Sequence, residues 1–188
     1  MTKDYFKDLV DLFYNIEVTR KLKNIKFEPA IKIILNKMNS LKSPNKIILI
    51  GNGGSNSIAS HIATDFLKNL GKAAIVFSDA SLLTCLANDI GYENAFYKAI
   101  TTVANKGDFL FSISSSGKSK NIIFATKEAK RKGCFVVTFS GFSPLNDLRK
   151  LGDINFYVPS NCYGFVEIVH LAICHYVVDI LKNDYGQV

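Results

Sequence analysis

Two short loops and two pairs of residues with helical spacing carry most of the chemistry legible in this sequence. "GNGGS" at 51–55 and "SSSGKS" at 114–119 each follow an apolar run and precede a stretch with helical periodicity. Small residues let the backbone approach a ligand closely, and the free N–H groups at the start of the following helix favour an anion. Ser114, Ser115, Ser116 and Ser119 add neutral hydroxyl donors and Lys118 adds charge, so the two loops together point to phosphate. Neither is a P-loop, since G-x-x-x-x-G-K-[ST] does not occur, and "GNGGS" lacks the G-x-G-x-x-G spacing of a dinucleotide site. Taken singly, each loop is equally the composition of a tight turn or a helix cap. Two of them on one sheet edge favour the phosphate reading.

The paired residues suggest a metal and proton transfer. His61 and Asp65, at i and i+4, fall on one helical face a turn apart, a workable spacing for a shared ion. Glu167 and His175 are eight apart, about 12 Å along a straight helix, so both reach one ion only by leaning together or through a break in the helix. His170 and Cys174 are the alternatives on that segment. His170 lies between Val169 and Leu171 and fits equally well as a hydrogen-bonded core residue.

These residues need a scaffold, and the rest of the chain supplies its pattern. With 188 residues, 48% of them hydrophobic, there is enough chain for one domain with a substantial core. Apolar periodicity predicts helices around 4–20 and 27–41, a helical lead-in over 1–42. From 43 to 188 short β-branched runs (46–50, 73–77, 108–114, 135–139, 154–158) alternate with amphipathic segments near 55–70, 80–88, 93–104, 119–132 and 164–183. Strands alternating with helices imply right-handed crossovers, hence an α/β fold: a five-stranded parallel sheet sandwiched between helices in three layers. In such sheets ligands bind beyond the carboxyl ends of the strands, which is where both loops fall.

Composition narrows the function classes. The net charge of +7 would attract anions, but the basic residues are scattered without interleaved aromatics, which argues against nucleic acid as the partner. The longest unbroken apolar runs are far shorter than the roughly 20 residues that span a bilayer, so no membrane association is expected. The N-terminus, mixing charged and apolar residues, does not read as a signal peptide, and a cytoplasmic location is the expectation. Cys85, Cys134, Cys162 and Cys174 show no C-x-x-C spacing and fit reduced, mostly buried thiols.

"GNGGS" with the following His61, then "NDIGYENAF" at 88–96, "ISSSGKS" at 113–119 and "VPS" at 158–160 with "EIVHLAICH" at 167–175 occur in an order that resembles the sugar isomerase (SIS) domain family. Within it the likeness is to the phosphoheptose isomerases, and it extends over nearly the whole chain. The resemblance implies that Ser55, Ser114, Ser115, Ser116 and Ser119 hold a sugar phosphate, with Asn52, Gly53, Gly54, Asn88 and Asp89 against the sugar. It implies a divalent metal, zinc by preference, held at His61, Asp65, Glu167 and His175, where the family carries His, Glu, Gln and His. Asp65 then stands as base and His175 as acid in an enediol-type isomerisation of sedoheptulose 7-phosphate or a related sugar phosphate, with Glu167 taking part of the proton transfer. The chain reads "KNL" at 68–70 where relatives commonly read "GRY", so an arginine is missing and Lys68 is a partial substitute. The family forms homotetramers, which agrees with a lead-in and a last helix that are apolar on more than one face. The rival reading is a non-catalytic SIS adaptor; His175 and a carboxylate at 167 favour the enzyme.

Overall fold

The computed structural model describes residues 4–183. Helix α1 (Tyr5–Tyr14) leads into a hairpin of β1 (Glu17–Arg20) and β2 (Lys23–Asn24), then α2 (Phe27–Asn39). Five further strands follow: β3 (Ile47–Ile50), β4 (Ala74–Val76), β5 (Phe109–Ser114), β6 (Phe135–Ser140) and β7 (Ile154–Tyr157). Between and after them run α3 (Gly54–Leu70), α4 (Ala80–Ile90), α5 (Tyr92–Val103), α6 (Lys120–Arg131) and α7 (Tyr163–Lys182).

The sheet order is β2-β1-β7-β6-β5-β3-β4, and β3 to β7 are all parallel. The five expected strands and the α/β class are therefore present. Alternate residues of each strand enter two separate cores. Ile47, Leu49, Phe111, Phe139 and Phe156 face α2, α3 and α7, while Ile48, Ile50, Leu110 and Val136 face α5 and α6. Under α3 and α7 a row of rings crosses the sheet: Phe66, Phe111, Phe139 and Phe156 succeed one another at centroid separations of 5.8, 5.5 and 5.5 Å.

The expected helix over 4–20 requires correction. It ends at Tyr14, and residues 17–20 form β1, antiparallel to β7 from Glu17↔Tyr157 to Arg20↔Ile154. The physical reason is that β7 offers an unpaired edge, and "EVTR" can satisfy it while burying Val18 and Thr19. A four-residue strand whose partner is far along the chain leaves too few residues to reveal a period of two. The new edge, β2, is only two residues long and carries Lys23, features that discourage further pairing.

Topology also selects one end of the sheet. The chain passes from β3 outward to β4, then returns to place β5 on the other side of β3. Strand order therefore reverses between β3 and β5, the crevice in which open parallel sheets take their ligands. The loops 51–55 and 114–119 leave these two strands. One described helix, α7, is long and apolar enough to cross a bilayer by length and composition. Its Val166, Val169, Ile173, Val177 and Val178 belong to the core against the sheet.

Because the ring row supports both α3 and α7, Phe139→Ala is expected to destabilise the fold by about 3–5 kcal/mol. The check is a lowered denaturant midpoint with an unchanged m-value.

Candidate active site

The turn after β3 is shaped by glycine. A Cβ on Gly51 would lie 2.5 Å from the carbonyl carbon and oxygen of Ser55, so the first turn of α3 folds directly back over the strand end. Gly53 caps α3 at φ 53° without a side-chain bond, leaving the helix's first N–H groups facing the crevice. Asn52 is locked from two sides: its Oδ1 accepts from Tyr92 Oη at 2.7 Å and Asn121 Nδ2 at 2.9 Å, and its Nδ2 donates to Asn121 Oδ1 at 3.0 Å.

The serine loop continues the wall. Ser114 Oγ donates to Ser119 Oγ at 3.3 Å, and Ser119 begins α6, again with no side-chain cap bond. Gly117, at φ 62°, lies against Asn146, whose amide donates to the carbonyls of Gly141 and Ser143 and so holds the loop from beneath. Ser115 Oγ is buried and has no hydrogen-bond partner. An orphaned buried hydroxyl is costly unless a ligand satisfies it. It lines a pocket of about 140 Å³ together with Asn52, Ser55, Ser114, Ser116, Ser119, Tyr163 and Glu167.

A second group lies further along the same helices. His61 Nε2 is 3.5 Å and His175 Nδ1 3.6 Å from the same oxygen, Asp65 Oδ2. One ligand atom from each of the three falls within 4.8 Å of the others, making the only such metal-capable group among the described residues. Bonds of about 2.1 Å to a tetrahedral ion place ligand atoms about 3.4 Å apart, close to both separations, so the residues present fit a divalent metal. Asn69 Nδ2 donates to Asp65 Oδ1 at 3.3 Å, which leaves Oδ2 for the two imidazoles.

Most of the residues expected from sequence converge here. Glu167, however, is outside the His61, Asp65 and His175 group. Its carboxylate lies in the serine pocket at the start of α3, where a Cβ on Gly54 would be 2.5 Å from Oε1. The eight-residue spacing on α7 thus places Glu167 and His175 at two ends of one elongated site. Asn88 and Asp89 are exposed on the last turn of α4, bonded to each other at 2.9 Å, and do not line the serine pocket of this chain. Lys118 is exposed beside the serine loop. His170 is a core residue: its Nε2 donates to the Ser140 carbonyl at 3.2 Å and its ring packs edge-on to Phe139. Cys174 and Cys134 are buried, while Cys85 and Cys162 are exposed, and all four are free thiols. Sequence reasoning did not find Tyr92, Asn121, Tyr163 or Asn69. Only Asn69 carried a usable signal, its i+4 spacing from Asp65.

The fold and this site define the class. The chain belongs to the SIS domain family, whose model matches residues 4–141. Its relatives include the phosphoheptose isomerase of Helicobacter hepaticus, 34% identical over 186 residues that cover 95% of this chain and 94% of that protein. The phosphoheptose isomerase of Cytophaga hutchinsonii is 40% identical over 150 residues, 77% of this chain and 78% of its own. Among solved structures, phosphoheptose isomerase GmhA from Neisseria gonorrhoeae superposes with a TM-score of 0.80 at 27% identity, covering 95% of each chain. A phosphoheptose isomerase from Francisella tularensis gives 0.81 at 26% identity, again over 95% of each chain.

Two outcomes test this geometry. Gly54→Ala is expected to cost about 1–3 kcal/mol by overpacking against Glu167, and adding Glu167→Ala should recover most of it in a double-mutant cycle read by chemical denaturation. Burial pushes the His170 imidazole down to about 4, with the Ser140 carbonyl opposing only in part. The unfolded chain takes up that proton near pH 6.5, so stability is unaffected above this value and falls as pH drops toward 4, by about 3 kcal/mol in all. Denaturant midpoints at pH 7 and 4.5 should show the loss, and His170→Gln should reduce it.

Proposed function

We propose that this chain is a phosphoheptose isomerase, converting sedoheptulose 7-phosphate to D-glycero-D-manno-heptose 7-phosphate for surface-polysaccharide heptose synthesis. The observation that carries the reading is the joining, by α3 and α7, of a serine pocket with an orphaned buried hydroxyl to a His61, Asp65 and His175 cluster. The curated relatives' shared activity agrees with it. Ser55, Ser114, Ser115, Ser116 and Ser119, with the open N-termini of α3 and α6, bind the phosphate. The sugar chain then extends along α7 toward the imidazoles. Asn52, Gly53 and Gly54 border its path, and Asn88 and Asp89 belong to the same proposed set.

His61, Asp65 and His175 would hold zinc, which when bound polarises the sugar's oxygens. Asp65 removes the proton from the carbon beside the ketone, and the carbonyl oxygen gains one from His175, giving an enediol. Loss of the terminal hydroxyl proton and protonation of the neighbouring carbon complete the aldose. Asn69 holds the Asp65 carboxylate in register throughout. Glu167, the fourth member of the proposed set, stands apart from the other three, with its carboxylate in the serine pocket.

The protein works in the cytoplasm as a homotetramer in this reading. Its α1 leaves Phe6 and Tyr14 75% and 85% exposed, with Val10 beside them, and an apolar groove runs between α1, α2 and α7 past Phe13, Phe27 and Tyr176. Such surfaces are normally covered by another subunit.

Incubating the zinc-loaded protein with sedoheptulose 7-phosphate in D₂O and following it by NMR should show an aldose carrying solvent deuterium at carbon 2. Asp65→Asn or His175→Ala should lower turnover by about 10²–10⁴-fold. Glu167→Gln tests its place in the set: full turnover with zinc retained would remove it from the proton transfer. Absence of conversion by protein shown to hold zinc would sink the proposed substrate.

A further inference from the structure

One sizeable cavity bordered by described residues has no part in this chemistry. It lies at the opposite end of the sheet, where β5 and β6 begin, and encloses about 530 Å³, within the range of small-molecule sites. Its floor is apolar where half-buried Phe135 starts β6 and Leu41 follows α2. Its rim is basic: Arg20 and Lys21 come from the β1–β2 turn and Lys37 from the last turn of α2.

Among the described residues none of these three cations forms an ion pair with a carboxylate, although Lys37 Nζ stands 5.8 Å from the Phe135 ring centroid. Asp153 is the single acidic group on the lining, and its Oδ2 already accepts from the Val136 N–H at 2.9 Å. Asp108, nearby, is fully buried and neutralised by Lys46 at 2.7 Å. Three cations over one committed carboxylate leave the cavity mouth positive.

The turn that presents two of these cations is also costly. Lys21 and Leu22 are the two loop residues of the hairpin, both at positive φ (47° and 69°), where Asn and Gly are the favoured residues. Leu22 is 66% exposed, so packing does not offset the strain. Retained strain beside a cavity is the kind found at ligand sites.

We propose that this cavity binds an organic phosphate of nucleotide size, its phosphates at Arg20, Lys21 and Lys37 and its ring over the Phe135 and Leu41 floor. A bare polyhydroxy sugar would leave that floor unmatched, and inorganic phosphate would leave most of the volume unfilled. The site is remote from the serine pocket and independent of the isomerase reading.

The test is fluorescence anisotropy of ADP carrying a fluorescent ribose ester, titrated with the full-length protein at low salt, with unlabelled ADP, adenosine and inorganic phosphate as competitors. Saturable binding displaced by ADP, and weakened about tenfold or more in Arg20→Gln/Lys37→Gln, supports the site, since losing charged hydrogen bonds has that effect. Both substituted residues are exposed, so the variant should melt like the parent and isomerise sedoheptulose 7-phosphate at the parent's rate. Any of three results overturns the proposal: no binding, equal binding to parent and variant, or binding abolished by Ser115→Ala instead. Inorganic phosphate competing as well as ADP would overturn the assignment of the ring to the apolar floor.

Discussion

The parallel packing of α7 along α3 is the constraint on which the site depends. Near their starts the two helices meet at Gly54 and Glu167, where the absence of a Cβ makes room for a carboxylate. Further on they meet at Asp65 and His175, close enough to share an ion. Both contacts exist only if the helices run in the same direction at a fixed height above the sheet. The row from Phe66 to Phe156 sets that height, because close-packed rings leave little freedom to slide. A core substitution far from the site can therefore misplace His175 relative to Asp65.

The second determinant is topological. Reversal of strand order between β3 and β5 brings two loops from separate parts of the chain to one crevice. Helices α3 and α6 then begin there on Gly53 and Ser119 without side-chain caps. The uncapped N–H groups are left for an anion. Asn52 ties the arrangement together by joining the turn after β3 to the first turns of α5 and α6.

Much of this was legible from the residues alone, for identifiable reasons. The five parallel strands are continuous apolar runs punctuated by Gly, Ser and Pro, and the glycine and serine loops are compositional signals that survive without knowledge of contacts. The His61 and Asp65 pair follows from helical spacing. The hairpin at 17–24 was not legible, because its stability comes from β7, far away in sequence, and not from local periodicity. Tyr92 and Asn121 were missed for the same reason: a Tyr or Asn at a helix start is unremarked until the group it bonds is known. Glu167 and His175 posed a puzzle of spacing that only the parallel helix pair resolves, by giving them separate ends of one site.

The hairpin has a bearing on how the chain acquires its structure. Its pairing of Glu17 with Tyr157 joins segments 140 positions apart in the sequence (157 − 17). An isolated two-stranded ribbon is at best marginally stable in water. During synthesis, residues 17–24 must therefore remain without their partner until β7 has emerged. Contacts this distant in sequence slow folding and lengthen exposure of unpaired strand edges. Until β7 arrives, the unpaired residues 17–24 are the strand edge left open to another chain.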